Sequence, residues 1–139
     1  MSEHFHAIVW IDHHEARVVH FNTDAAEQLV IHPHRPTKHI HHKANSRGSG
    51  HAAEDQNFLH DVAAAISDAG AILIVGPASA KHELVKHIER HTPKLLERVA
   101  GVETLDHPTD GALLGYARKY FHAADRMAPQ RSPLVPPKG

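Results

Sequence analysis

The sequence predicts an α/β domain built on one five-stranded mixed sheet, and three observations carry that prediction. Short β-branched runs joined by polar turns come first, the pattern of an antiparallel meander. From about residue 52 the apolar spacing changes to that of helices alternating with compact apolar runs, the pattern of parallel strands joined by helical crossovers. No stretch repeats another, and 139 residues fit one domain with a core of its own.

Phe5 to Ile11 (FHAIVWI) is apolar, the polar DHHEA follows, and Arg17 to Phe21 (RVVHF) returns, so the pair reads as a hairpin. Gln28 to His32 supplies a third strand, which Pro33 stops because proline cannot donate to a ladder. Residues 33–51 have no period of either kind, with two prolines and an RGSG run, the composition of an exposed loop. From about Ala52 to Ala69, Phe58, Leu59, Val62, Ala63 and Ile66 recur at helical spacing, and Gly70 stands where a left-handed cap would close a helix.

Ala71 to Val75 (AILIV) is a continuous apolar run, expected of a strand covered on both faces, and Gly76-Pro77 end it. A second helix is expected from about Ser79 to His91, with Leu84, Val85 and Ile88 inward and Thr92-Pro93 breaking it. Val99 to Leu105 reads as a fifth strand, weakened at Gly101. The last helix is capped by Thr109 or Asp110 and carries Leu113, Ala117, Tyr120, Phe121 and Ala124 along one stripe. Residues 127–139 hold four prolines and are expected to be a disordered tail, which leaves 1–126 as the domain. The order β-β-β-α-β-α-β-α, with right-handed crossovers and helices on both faces, is the ribonuclease H-like arrangement.

Composition excludes several function classes. With no cysteine the chain has no disulfide, thiolate nucleophile or cysteine-based zinc site. No apolar run approaches the roughly 18 residues of a membrane span, and the first residues lack a basic head followed by an apolar core, so a cytoplasmic protein without membrane contact is expected. The net charge of -1 steers the whole molecule neither toward nor away from nucleic acid, so any polyanion binding must come from how charge is distributed. Seventeen histidines make the chain far more cationic below about pH 6.

Charge is most unevenly distributed in VIHPHRPTKHIHHKANSRGSGH, Val30 to His51, which contains six histidines and no carboxylate. Arg35, Lys38, Lys43 and Arg47 have no acidic residue near them in sequence, the pattern of a segment that follows a phosphate backbone. His39, His41 and His42 add donors and stacking surfaces that suit RNA. A metal is the rival ligand. His32 with His34, or His39 with His41, lie two apart, so an extended chain puts each pair on one side, where zinc or nickel would accept them. No resident cofactor is otherwise expected.

The hairpin, the cationic segment ending in a glycine-rich turn, the long helix and the ILIVGPASAKHEL strand-to-helix unit together resemble the middle domain of the archaeal and eukaryotic peptide chain release factor and of pelota. They resemble still more closely the short bacterial proteins known as the translational machinery protein family. The resemblance runs from about residue 5 to 125, and it implies contact with the ribosome or ribosomal RNA. Release factors carry Gly-Gly-Gln ahead of the long helix; this chain has Gly48-Ser49-Gly50-His51 there, and Gln56 lies inside the helix, so peptide release is not implied. Pelota-like proteins lack that motif and have a basic loop instead.

A ribonuclease H-like order also raises a metal-dependent nuclease, whose paired ions sit among several carboxylates. Asp12, Glu54 or Asp55, and Asp110 fill three of the expected places, whereas the fourth strand ends at Val75-Gly76-Pro77 without an acid. GPASAK lacks the full nucleotide-wrapping pattern, although the following helix turn with Lys81 offers a second phosphate contact. The short final strand leaves a sheet edge available for pairing.

Overall fold

The computed structural model describes residues 5–33 and 56–131, the last nine of them as backbone only. Five strands, β1 (His6–Ile11), β2 (Ala16–Phe21), β3 (Ala26–Ile31), β4 (Ala71–Gly76) and β5 (Val99–Thr104), form one sheet in the order β3-β2-β1-β4-β5. The described helices are α1 (residues 56–65), α2 (Ala80–His91), α3 (Pro93–Leu96) and α4 (Asp110–Arg131). The sheet with α1, α2 and α3 makes one compact unit that ends at His107, and α4 belongs to a second that begins at Pro108.

Both hairpin turns close by the same device. Asp12 Oδ1 accepts the backbone N–H of His14 and of Glu15, at 2.8 and 2.9 Å, while Asn22 Oδ1 accepts those of Asp24 and Ala25, at 2.9 and 2.8 Å. A short side chain that mimics a backbone acceptor is why Asp or Asn opens such turns. The resulting antiparallel registers run from His6↔Phe21 to Ile11↔Ala16 and from Ala16↔Ile31 to Phe21↔Ala26.

β1 pairs in parallel with β4, and β4 with β5, so these three strands end at the same edge of the sheet. Between Ile72↔Val99 and Leu73↔Gly101 the register shifts by one residue, a bulge that inserts Ala100 at the glycine expected to weaken this strand. Gly76 is required by a close approach. A Cβ built there would lie 2.3 Å from the carbonyl oxygen of Ile11, so any side chain would force the β1 and β4 ends apart.

Ala7, Val9 and Ile11 of β1 and Ile72 and Ile74 of β4 share one buried cluster with Phe58, Leu59 and Val62 of α1, Ile66 just after it, and Leu84 and Ile88 of α2. Burial of each such Ile, Leu or Phe side chain stabilises the fold by roughly 1.5–3 kcal/mol. The alternate residues Ile8, Trp10, Leu73 and Val75 are also fully buried, as a continuous apolar run predicts. β3, with only β2 beside it, is exposed through residues 26–30.

Three local expectations change. Gly70 is not in the left-handed region. The helical turns tighten after residue 65, and the Gly70 N–H donates instead to the Phe5 carbonyl at 2.9 Å, fastening this turn to the start of the sheet. α3 was not expected; Thr92 leaves helical geometry, and Pro93, with its φ already set, begins a fresh turn. α4 runs to Arg131, into the tail expected from residue 127, since Arg126, Met127 and Ala128 are favourable helix residues. Of the two candidate caps, Thr109 serves: its Oγ1 accepts the Ala112 N–H at 3.1 Å.

Candidate functional site

The edge where β1, β4 and β5 end is the place where open α/β sheets present ligand-binding groups. Ile11, Ala16 and Ile31 stand side by side there, and Gly76 stands beside Thr104, so the hairpin turn, the β4–α2 turn, the exit of β5 and the exit of β3 all meet this edge. The basic segment leaves the described chain from β3 at His32 and Pro33, and its root therefore lies at this edge.

Trp10, the chain's one tryptophan, organises the edge. Its indole N–H is shared between the Asp106 and Leu105 carbonyls, at 2.8 and 3.1 Å, which holds the segment after β5 against the end of β1. The Arg17 guanidinium carbon lies 4.8 Å from the centre of the indole, a cation–π contact, and the His107 ring packs 4.6 Å from it.

Around this platform three histidines each face a carboxylate. His107 Nε2 lies 3.5 Å from Asp12, His13 Nε2 lies 3.3 Å from Glu83, and His32 Nε2 lies 3.6 Å from Glu15. Glu15 is also 3.8 Å from the Nε of Arg17. Burial alone would push the Asp12 carboxyl up, but the backbone N–H groups of His14 and Glu15, with His107 and His14, outweigh it and hold the group below the usual carboxylate range. The edge is therefore a rim on which histidines and carboxylates alternate.

Of the residues expected to contact RNA, Arg35, Lys38, His39, His41, His42, Lys43 and Arg47 lie outside the described residues, as do His34, Glu54 and Asp55. His32 is described, exposed and turned to Glu15.

Lys81 departs from expectation. The side chain is 4% exposed, and its ammonium donates to the Ala78 carbonyl at 2.6 Å, so it braces the β4–α2 turn instead of standing free for a phosphate. The reason lies in the helix, where Lys81 falls on the buried side with Ala80 and Leu84.

For a nuclease, Asp12 is committed to its own turn and to His107, and Asp110 opens α4 in the second unit. Among the described residues no three His, Asp or Glu side chains are grouped to hold a metal ion.

Sequence reasoning missed two features. The Trp10 platform joins residues far apart in the chain, and only the isolated tryptophan next to DHHEA hinted at it. His87, buried on α2, follows Leu84 by three positions and precedes Ile88, so helical spacing alone would have placed it on the inner face.

No family model and no curated protein matches the chain. Solved structures do. Pelota from Archaeoglobus fulgidus aligns over 85% of the chain at 12% identity with a TM-score of 0.58, and Pelota from Thermoplasma acidophilum over 81% at 15% identity with a TM-score of 0.55. An archaeal translation termination factor aligns over 78% at 12% identity with a TM-score of 0.52. The chain spans about a third of each of these proteins: 32%, 31% and 32% of their lengths. It thus shares the fold of a domain-sized part of Pelota and of a termination factor, a five-stranded mixed sheet with helices.

Proposed function

We propose that the protein is a non-catalytic, ribosome-associated factor that contacts RNA through the basic, histidine-rich segment of residues 33–51. The observation that carries this reading is the fold likeness to two Pelota proteins and a translation termination factor over 78–85% of the chain. Two features support it. Arg35, Lys38, Lys43 and Arg47 have no carboxylate between Gln28 and Ala53 to compensate them. The segment is rooted at the carboxyl edge of the sheet, beside a rim of three histidine–carboxylate pairs. The proposal includes no peptide-release step, because Gly48-Ser49-Gly50-His51 stands where release factors have Gly-Gly-Gln.

The test is co-sedimentation of the full chain with ribosomes from cell extract across a salt series, with and without chelator. The wild-type protein should pellet with ribosomes at low salt and be released as salt rises, unaffected by chelator. Replacement of Arg35, Lys38, Lys43 and Arg47 by serine should abolish retention. Retention by the fourfold variant equal to wild type, or loss of retention on chelation alone, would contradict the proposal, the latter in favour of zinc or nickel on His32, His34, His39 and His41.

A further inference from the structure

A groove of about 470 Å³ runs between α1 and the α2–α3 corner, lined by His60, His87, His91, Leu95 and Arg98 together with the small side chains of Ala63 and Ala64. His87, only 6% exposed, is the one imidazole among the buried described side chains. Its Nδ1 lies 3.1 Å from Oε1 of Gln56, the first described residue of α1. An amide oxygen only accepts, so Nδ1 carries the ring proton and Nε2 is left as a bare lone pair. That Nε2 is fully enclosed and has no hydrogen-bond partner.

The charges that bear on His87 come from both helices. His91 and Arg90 follow it on α2, the His91 ring centre 4.4 Å away, and His60 faces it from α1 at 6.2 Å. Glu83, one turn earlier on α2, faces His13, and Arg98, just beyond α3, donates to the Ser67 and Ala69 carbonyls at 2.7 and 3.3 Å. Burial first, then His91, His60 and Arg90, hold His87 below the ordinary histidine range.

We propose that the α1–α2 seam is a proton-operated clasp, closed by neutral His87 and opened when Nε2 is protonated. The neutral ring fits because its bare nitrogen needs no solvent and its N–H is taken by Gln56. A second ring proton creates an N–H without an acceptor, on a cation enclosed by three like charges. The seam relieves this by separating α1, which carries Phe58, Leu59 and Val62 out of the shared core and lets water reach the ring. The direction follows from linkage. With the folded value depressed, the closed state is fully favoured above the free-imidazole pKa of about 6.5. It weakens by up to about tenfold per pH unit as pH falls from there to the folded value, and no further below it. This behaviour does not depend on the RNA-binding reading.

The test follows the His87 ring by NMR titration and the amide exchange of residues 58–66 against β4, between pH 7.5 and 5.0 and corrected for intrinsic exchange. His87 should titrate below about 6.5, and below that pH the α1 amides should lose protection faster than the β4 amides, by up to about tenfold per pH unit. The double substitution His60→Ala and His91→Ala, at two exposed positions, should raise the His87 titration and shrink that excess. His87→Phe, which keeps the ring volume without the titration, should abolish the excess; should that variant not fold, the double variant decides. Titration of His87 at or above about 6.5, or parallel loss of protection in α1 and β4, would overturn the clasp.

Discussion

Oδ2 of Asp12 lies 3.5 Å from Nε2 of His107, so the first hairpin turn of the chain is joined through side chains to the segment that leaves its last strand. The strand that leads into that turn meets the same departing segment through Trp10, whose indole N–H is held by Leu105 and Asp106. One carboxylate thus closes a turn with its Oδ1 and ties two ends of the sheet with its Oδ2.

Asp12→Ala removes both functions and should cost about 1–2 kcal/mol, the range of lost side-chain caps. Asp12→Asn keeps an oxygen for the turn and should cost less. The pH dependence has a definite sign. Because the folded Asp12 carboxyl titrates below its free value, its contribution is complete above about pH 4 and is lost as pH falls through the folded value. Denaturant midpoints of wild type and Asp12→Asn should therefore differ at pH 6 and converge in acid.

Gly76→Ala should destabilise the protein by about 1–3 kcal/mol or more, the range for overpacking, because the new methyl meets the Ile11 carbonyl and not a pliable side chain. Gly115→Ala, where nothing lies within 4 Å of the added carbon, should be neutral or slightly stabilising. Thermal denaturation of the two variants side by side checks the contrast.

Trp10→Phe keeps most of the buried ring but leaves the Leu105 and Asp106 carbonyls without their donor, at a cost of about 1–3 kcal/mol. By contrast His13→Ala breaks an exposed pair with Glu83 and should change stability by no more than about 1 kcal/mol. Urea unfolding of both variants measures the difference.

Lys81→Met should leave ribosome retention unchanged while altering stability, since its ammonium braces the Ala78 carbonyl inside the β4–α2 turn. Retention that falls with Lys81→Met as it does with the loop substitutions would place Lys81 in the contact after all.

The succession of strands and helices along the chain and the helix faces were legible because they rest on local pattern. AILIV announced a strand buried on both sides, and Phe58, Leu59, Val62 and Ile66 announced the inner face of α1. The turn acids were visible too, though Asp12 suggested chemistry and proved to be a closure. What the sequence hid is what depends on long-range approach. The need for Gly76 comes from the Ile11 carbonyl across a parallel pair, and the Trp10 platform needs the end of β5 beside the end of β1. Lys81 misled for a related reason: a cation after a strand reads as free until the helix phase is known, and here that phase turns it inward.

The most direct measurement is the affinity of the purified chain for ribosomal RNA as a function of salt. The account predicts that log affinity falls with log salt at a slope of about -3 to -4, matching four neutralised phosphates. The slope should collapse toward zero when Arg35, Lys38, Lys43 and Arg47 are replaced by serine, with the fold intact by circular dichroism. A slope unchanged by those four substitutions, or no salt-dependent binding by the wild-type chain, would contradict it.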